Sequence, residues 1–151
     1  MSTSDHAIEY VTATIGGQLF GLPISGVQDV FMPERLTRVQ LAAPEFAGML
    51  NLRGRIVTAI DMRLRLGLPP VEAGKARMAI GIESKGESYG LLIDAIGEVM
   101  KLSPGSLENN PVNLDTRLAR VSAGVYRLDG NLLVVLDLHR VLDIGAHAEA
   151  A

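Results

Sequence analysis

Residues 48–66, GMLNLRGRIVTAIDMRLRL, return in weaker form as residues 124–142, GVYRLDGNLLVVLDLHRVL. Gly48/Gly124, Leu52/Leu128, Gly54/Gly130, Asp61/Asp137 and Leu66/Leu142 are identical, and most other positions exchange one apolar residue for another. A second pair of blocks lies upstream in the same order. Residues 18–31, QLFGLPISGVQDVF, align with 87–100, ESYGLLIDAIGEVM, sharing Gly21/Gly90, Leu22/Leu91, Ile24/Ile93 and Val30/Val99. Internal similarity at a set offset governs architecture, so the chain reads as one small unit used twice.

Each unit reads as β-structure. Ile8–Ile15 is rich in β-branched residues, Gly16-Gly17 supplies the positive φ of a tight hairpin turn, and Gln18–Ile24 returns as the second strand. Val27–Phe31 is a short third segment, extended or one helical turn. Leu52-Arg53-Gly54-Arg55 and Leu128-Asp129-Gly130-Asn131 read as two-residue hairpin turns. The strands that follow, Ile56–Ile60 and Leu132–Leu136, are nearly all apolar and so expected to be buried on both faces. Asp61 and Asp137 stand where a strand stops and a helical turn starts, placed to accept from free helix amides. Gly67 and Gly145 lie near the ends of those helical turns.

Short strands and glycine turns in two repeats predict a mainly β protein of two small closed barrels with short helices. The expected layout is a first barrel over 8–68, a linker over 69–76 and a second barrel over 77–145. Residues 1–7 and 146–151 are read as disordered tails. Gly21 to Asp61 spans 40 residues and Gly90 to Asp137 spans 47. The surplus falls within residues 102–122, an exposed loop leading to a short helix near Asp115–Arg120, and a loop that breaks pseudo-symmetry is a candidate for partner contact.

Composition narrows the function. With no cysteine, disulfides, thiolate nucleophiles and cysteine metal sites are excluded, which suits a reducing cytoplasm. No run approaches the roughly 18 apolar residues of a membrane span, and MSTSDHAIEY lacks the features of a signal peptide, so a cytosolic location is expected. Six arginines (35, 38, 53, 55, 63, 65) lie between Glu34 and Leu68 against three acids, although the net charge is −3. That basic stretch is a surface for an acidic protein partner or simply a solvated face. Nucleic-acid binding is the alternative, but Tyr10, Phe20, Phe31 and Phe46 are the only aromatics of that half available for base stacking.

No catalytic constellation is visible. Asp61 and Asp137 fit helix caps better than a carboxylate pair. His6, His139 and His147 have no metal-ligand spacing, and Ser25, Ser84 and Ser122 have no histidine placed to activate them. No GxGxxG or Walker-type loop occurs. Neither an enzyme nor a cofactor is expected.

Asn51-Leu52-Arg53-Gly54, the apolar strand after it and Asp61-Met62-Arg63 resemble the signature of CheW-type coupling proteins of bacterial chemotaxis. Phe20-Gly21-Leu22-Pro23-Ile24 followed by Val27-Gln28-Asp29-Val30 resembles the family's other block, and similarity runs from about Ile8 to Asp143. The resemblance implies two tandem SH3-like five-stranded barrels packed together. It further implies a non-enzymatic adaptor joining the cytoplasmic tips of chemoreceptors to the histidine kinase CheA. That kinase's regulatory domain resembles the adaptor, so the two alternate in rings beneath receptor arrays at the inner membrane, where further copies of the adaptor are also partners.

By the same resemblance a receptor helix docks in an apolar groove between the barrels. Val27, Asp29, Val30, Gly48, Asn51 and Arg53 are the receptor-binding candidates. Arg53 stands out because its counterpart in the second copy is Asp129, and a guanidinium on a hairpin tip can fork onto a carboxylate or onto carbonyls. Kinase contact is implied for the second barrel's loop, giving Leu107, Glu108, Val112 and Asn113, although Glu108 and Asn113 lack the basic and aromatic character the family pattern calls for.

Overall fold

The computed structural model describes residues 7–33, 36–37, 45–52, 54–70 and 77–143. Its strands are β1 (Ile8–Ile15), β2 (Gln18–Pro23), β3 (Asp29–Phe31), β4 (Leu36–Thr37), β5 (Phe46–Leu52), β6 (Arg55–Asp61), β7 (Met78–Ser84), β8 (Glu87–Ile93), β9 (Ala95–Leu102), β10 (Ser122–Leu128) and β11 (Asn131–Leu136). Three short helices accompany them, α1 (Met62–Arg65), α2 (Thr116–Val121) and α3 (Leu138–Val141).

The local signals act as expected. Gly16 and Gly17 have φ of 58° and 84°, and their counterparts Lys85 and Gly86 have 53° and 80°. Both pairs close two-residue turns, with Ile15 opposite Gln18 and Ser84 opposite Glu87. The Asp61 carboxylate accepts from the Leu64 amide at the start of α1, and Asp137 accepts from the His139 and Arg140 amides of α3. Asp115 caps α2 through the Arg117 amide, so the surplus loop does end in a short helix. Gly67 takes φ 72° just past α1.

The two copies are the same down to an irregularity. Gly48 on β5 has φ 144° and Gly124 on β10 has φ 143°. Each sits at a register shift, between Phe46 and Gly48 in one copy and between Ser122 and Gly124 in the other. A bulge of this kind needs a residue that tolerates left-handed backbone, which is why these two glycines recur.

Strand pairing departs from the layout read along the chain. One sheet runs β10-β11-β2-β1-β9 and the other β3-β7-β8-β6-β5-β4. The N-terminal hairpin β1–β2 therefore joins the strands of the second copy, and the hairpin β7–β8 joins those of the first. The seams are parallel, with Phe20 opposite Val134 on β2 and β11, and Thr58 opposite Tyr89 on β6 and β8. These pairs superpose under the repeat offsets, so the exchange is reciprocal. The second sheet is built from residues 29–93 in one run, and the first from 8–23 with 95–136. The break at 69–76 is thus a boundary between repeats but not between sheets, and the hairpins cross it because each must complete the other copy's barrel. Residues 71–76 and both tail segments lie outside the described residues, except for Ala7.

Three apolar clusters follow from this topology. Leu50, Val57, Ala59, Ala79 and Leu92, with Phe31 and Ala47 against them, fill one SH3-like barrel. Tyr10, Tyr126, Leu133 and Val135, with Leu19, Met100, Leu102 and Leu128, fill the other. There the two tyrosine rings meet edge to face at 5.5 Å, and their hydroxyls are 3.1 Å apart. The largest cluster lies between the barrels and takes residues from both sheets, among them Phe20, Leu22, Ile60, Leu91, Val134 and Leu136. Burying large apolar side chains at about 1.5–3 kcal/mol each holds the two barrels as one body. One strand differs from expectation. Ile56 is 71% exposed although Val57, Ala59 and Ile60 are buried; the exposed residues, Arg55 and Ile56, are the two next to the β5–β6 turn.

Candidate interaction surface

β3 is the outer strand of its sheet and pairs only with β7 among the described residues. The chain enters it through a single 3-10 turn, Ile24–Gly26, closed by the Val27 amide on the Ile24 carbonyl at 3.1 Å. Val27 is half-buried and packs against the cluster between the barrels. Asp29 is half-buried, and its carboxylate accepts from the next amide, Val30, at 2.8 Å. Phe31 turns inward onto the barrel cluster. Val30 points outward and is exposed, as are Ile24 and Met32, the last by 64%. Exposed apolar side chains therefore run along this edge, uncovered among the described residues. Exposed apolar side chains grouped on one segment mark an interaction surface.

Of the remaining receptor-side candidates, Gly48 and Asn51 lie on β5, four places from β3 in the sheet order. Barrel closure brings the two strands together from inside: a Cβ on Gly90 would stand 3.4 Å from Leu50 on β5 and 3.6 Å from Phe31 on β3. Gly48 is buried at the bulge and acts through backbone shape. Asn51 is exposed, and its side-chain oxygen accepts from the Gly54 amide at 3.0 Å, bracing the β5–β6 turn. Arg53 lies outside the described residues.

The kinase-side candidates form a separate edge on the other barrel. Glu108 makes a two-way backbone bridge to Val125 on β10, with N–O distances of 2.8 and 2.9 Å, and its carboxylate pairs with Arg127 at 2.9 Å. That bridge holds Leu107 against the surface, partly exposed. Val112 is fully exposed and Asn113 beside it is exposed in a turn. Leu107 and Val112 are thus presented on an ordered loop.

Sequence reasoning missed Ile24 and Met32 in the β3 strip and Val99 on β9. The repeat held the signal for Val99. It is the counterpart of Val30, it too lies on an outer strand, and it is 50% exposed.

The basic stretch is partly internal. Arg63 on α1 forks onto Asp94 at 2.9 and 2.6 Å and also donates to the Pro69 carbonyl at 3.0 Å. Arg65 donates to the Val141 and Arg140 carbonyls at the end of α3, and Arg55 to Ser88. Arg63 and Arg65 thus tie the first copy to the second rather than presenting a phosphate-binding face. Arg35 and Arg38 lie outside the described residues. Among the described residues no group of His, Cys, Asp and Glu could hold a metal ion, and no helix is long and apolar enough to cross a membrane.

A family model described as the CheW-like domain matches residues 9–145. The chemotaxis protein CheW of Treponema pallidum is 26% identical over 93% of this chain and 85% of its own length. That of Bacillus subtilis is 25% identical over 85% and 83%. Among solved structures, the scaffolding protein TtCheW of Thermoanaerobacter tengcongensis superposes with a TM-score of 0.81 at 26% identity, covering 91% of this chain and 94% of that one. Two pseudo-symmetric SH3-like barrels, an exposed apolar edge and this match over nearly the whole length agree: the chain belongs to the CheW-like family of chemotaxis scaffold proteins.

Proposed function

We propose that this scaffold couples the cytoplasmic tips of chemoreceptors to the histidine kinase CheA without catalysis of its own. The observation that carries the receptor side is the strip of Ile24, Val30 and Met32 beside half-buried Val27 on an outer strand. A receptor helix laying one apolar face there would bury this surface, the helix-in-groove mode of recognition. Asp29, Gly48 and Asn51 shape the rim and the neighbouring hairpin, and Arg53 stays a receptor-contact candidate on the family resemblance. The kinase's regulatory domain meets the opposite barrel at Leu107, Glu108, Val112 and Asn113. With one partner on each barrel, the adaptor can sit between receptor and kinase and repeat in rings. Its place is the cytoplasm, at receptor arrays on the inner membrane.

Val30→Glu tests the receptor side, because it sets a charge into the strip at a position where the fold does not need an apolar residue. Receptor-containing membranes should pellet the native protein and lose the variant, while the variant's melting temperature stays within a degree or two of the native value. Equal pelleting of both would remove β3 from the receptor site.

A further inference from the structure

The two junctions between the copies are built from equivalent residues and end differently. At one, Arg63 forks onto Asp94, and Asp94 also accepts from the Gly16 amide at 2.8 Å. The repeat offsets place His139, Ser25 and Lys85 where Arg63, Asp94 and Gly16 stand. His139 is shorter than arginine, and Ser25 has no charge, so the ion pair is lost. A cleft of about 530 Å³ opens instead, lined by Ser25, Lys85 and His139 together with the apolar Pro23, Leu136 and Leu138. That volume lies within the usual range of ligand sites, about 300–1,000 Å³.

The group missing from the open junction is the carboxylate. Among the described residues neither the Lys85 ammonium nor the His139 ring is in an ion pair. Two acids, Glu83 and Asp137, also line the cleft, but neither replaces Asp94. Asp137 is engaged by the His139 and Arg140 amides and by the Arg140 guanidinium, and Glu83 is exposed. Lys85 is also the one non-glycine with positive φ among the described residues, at 53°, where the closed junction has Gly16 at 58°.

We propose that this cleft binds an acidic peptide segment of a partner protein. Its Asp or Glu carboxylate takes the position Asp94 fills at the closed junction, against Lys85, Ser25 and His139. An apolar neighbour of that acid rests on Pro23, Leu136 and Leu138. The cleft opens beside the turn that carries Ile24 but is lined by none of the strip's exposed side chains, Ile24, Val30 and Met32, and it does not depend on receptor coupling there.

The test is an amide NMR and fluorescence-anisotropy titration of the full chain. The probe is a capped decapeptide with one Glu between leucines, compared with the same peptide carrying Gln. The Glu peptide should shift the amides of Ser25, Ser84, Lys85 and His139 and bind about tenfold more tightly than the Gln peptide, the loss of one charge-assisted contact. Lys85→Gly copies the turn of the closed junction, so it should fold and weaken the Glu peptide by a similar factor. Ser25→Asp with His139→Arg rebuilds the ion pair in the cleft and should abolish binding while raising the melting temperature. No binding, equal affinity for the two peptides, indifference to Lys85→Gly, or shifts confined to β3 would each overturn the proposal.

Discussion

Replacing Asp94 with Asn keeps the shape of the closed junction and removes its charge. The native carboxylate accepts three hydrogen bonds, from Arg63 Nε at 2.9 Å, Arg63 Nη2 at 2.6 Å and the Gly16 amide at 2.8 Å. An amide has one oxygen for these donors, and its NH₂ faces a donor on the other side. Both side chains of the pair are 21% exposed, between the surface case, about 0–1 kcal/mol, and the buried case, about 3–5 kcal/mol. About 2 kcal/mol is expected, a fall in melting temperature of about 4–8 °C for a chain of this size.

The pH dependence gives a second signature of the same pair. The Arg63 hydrogen bonds, then the Gly16 amide, hold the Asp94 carboxyl below its ordinary value, against the opposing pull of partial burial. A depressed folded-state value means the stabilisation is fully present above the unfolded value of about 3.9. It is lost as pH falls through the folded one. Urea denaturation of both proteins should therefore show a wide gap at pH 7 that narrows steadily below about pH 4. Coincident curves at pH 7, or a gap unchanged in acid, would refute the reading of this junction as an electrostatic staple.

Two further substitutions probe the barrels. Tyr126→Phe leaves the buried Tyr10 hydroxyl without its partner and should cost about 1–2 kcal/mol in chemical denaturation, whereas the double change with Tyr10→Phe should recover most of it. Burial and the Tyr126 hydroxyl push the Tyr10 phenol well above its ordinary value, so neither step should depend on pH near neutrality. Gly124→Ala would place a Cβ 2.9 Å from the Glu108 carbonyl at φ 143°, disturbing the bridge that presents Leu107. It should cost about 2–4 kcal/mol by calorimetry, against about 1 kcal/mol for Gly130→Ala, whose Cβ meets open space.

What could be read ahead of the structure was local. The turns at Gly16-Gly17 and Asp129-Gly130, the caps at Asp61 and Asp137 and the helix after Asp115 each rest on a few adjacent residues whose backbone demands are set by their own chemistry. The partner of each hairpin was not legible. The residues of β2 suit a parallel seam with β6 of their own copy as well as one with β11 of the other, because a repeat makes both edges alike. Only the three-dimensional packing between barrels, with Phe20 and Val134 in one cluster, selects the exchange. Charge was deceptive for a related reason. Arg63 and Arg65 look solvated in sequence, but their partners Asp94 and Val141 lie in the other copy. At the candidate surface, the family resemblance pointed to Val27 and Val30, and periodicity could not say which was buried. The core takes the first and leaves the second outside.

The central claim is that one chain bridges two partners, and kinase recruitment tests it most directly. CheA, receptor-containing membranes and this protein are mixed and sedimented, and the kinase in the pellet is measured with and without the adaptor. The kinase should pellet with the membranes only when the native protein is present, and Val30→Glu should leave it in the supernatant. Kinase that pellets equally without the adaptor, or that stays in solution with it, would contradict the account.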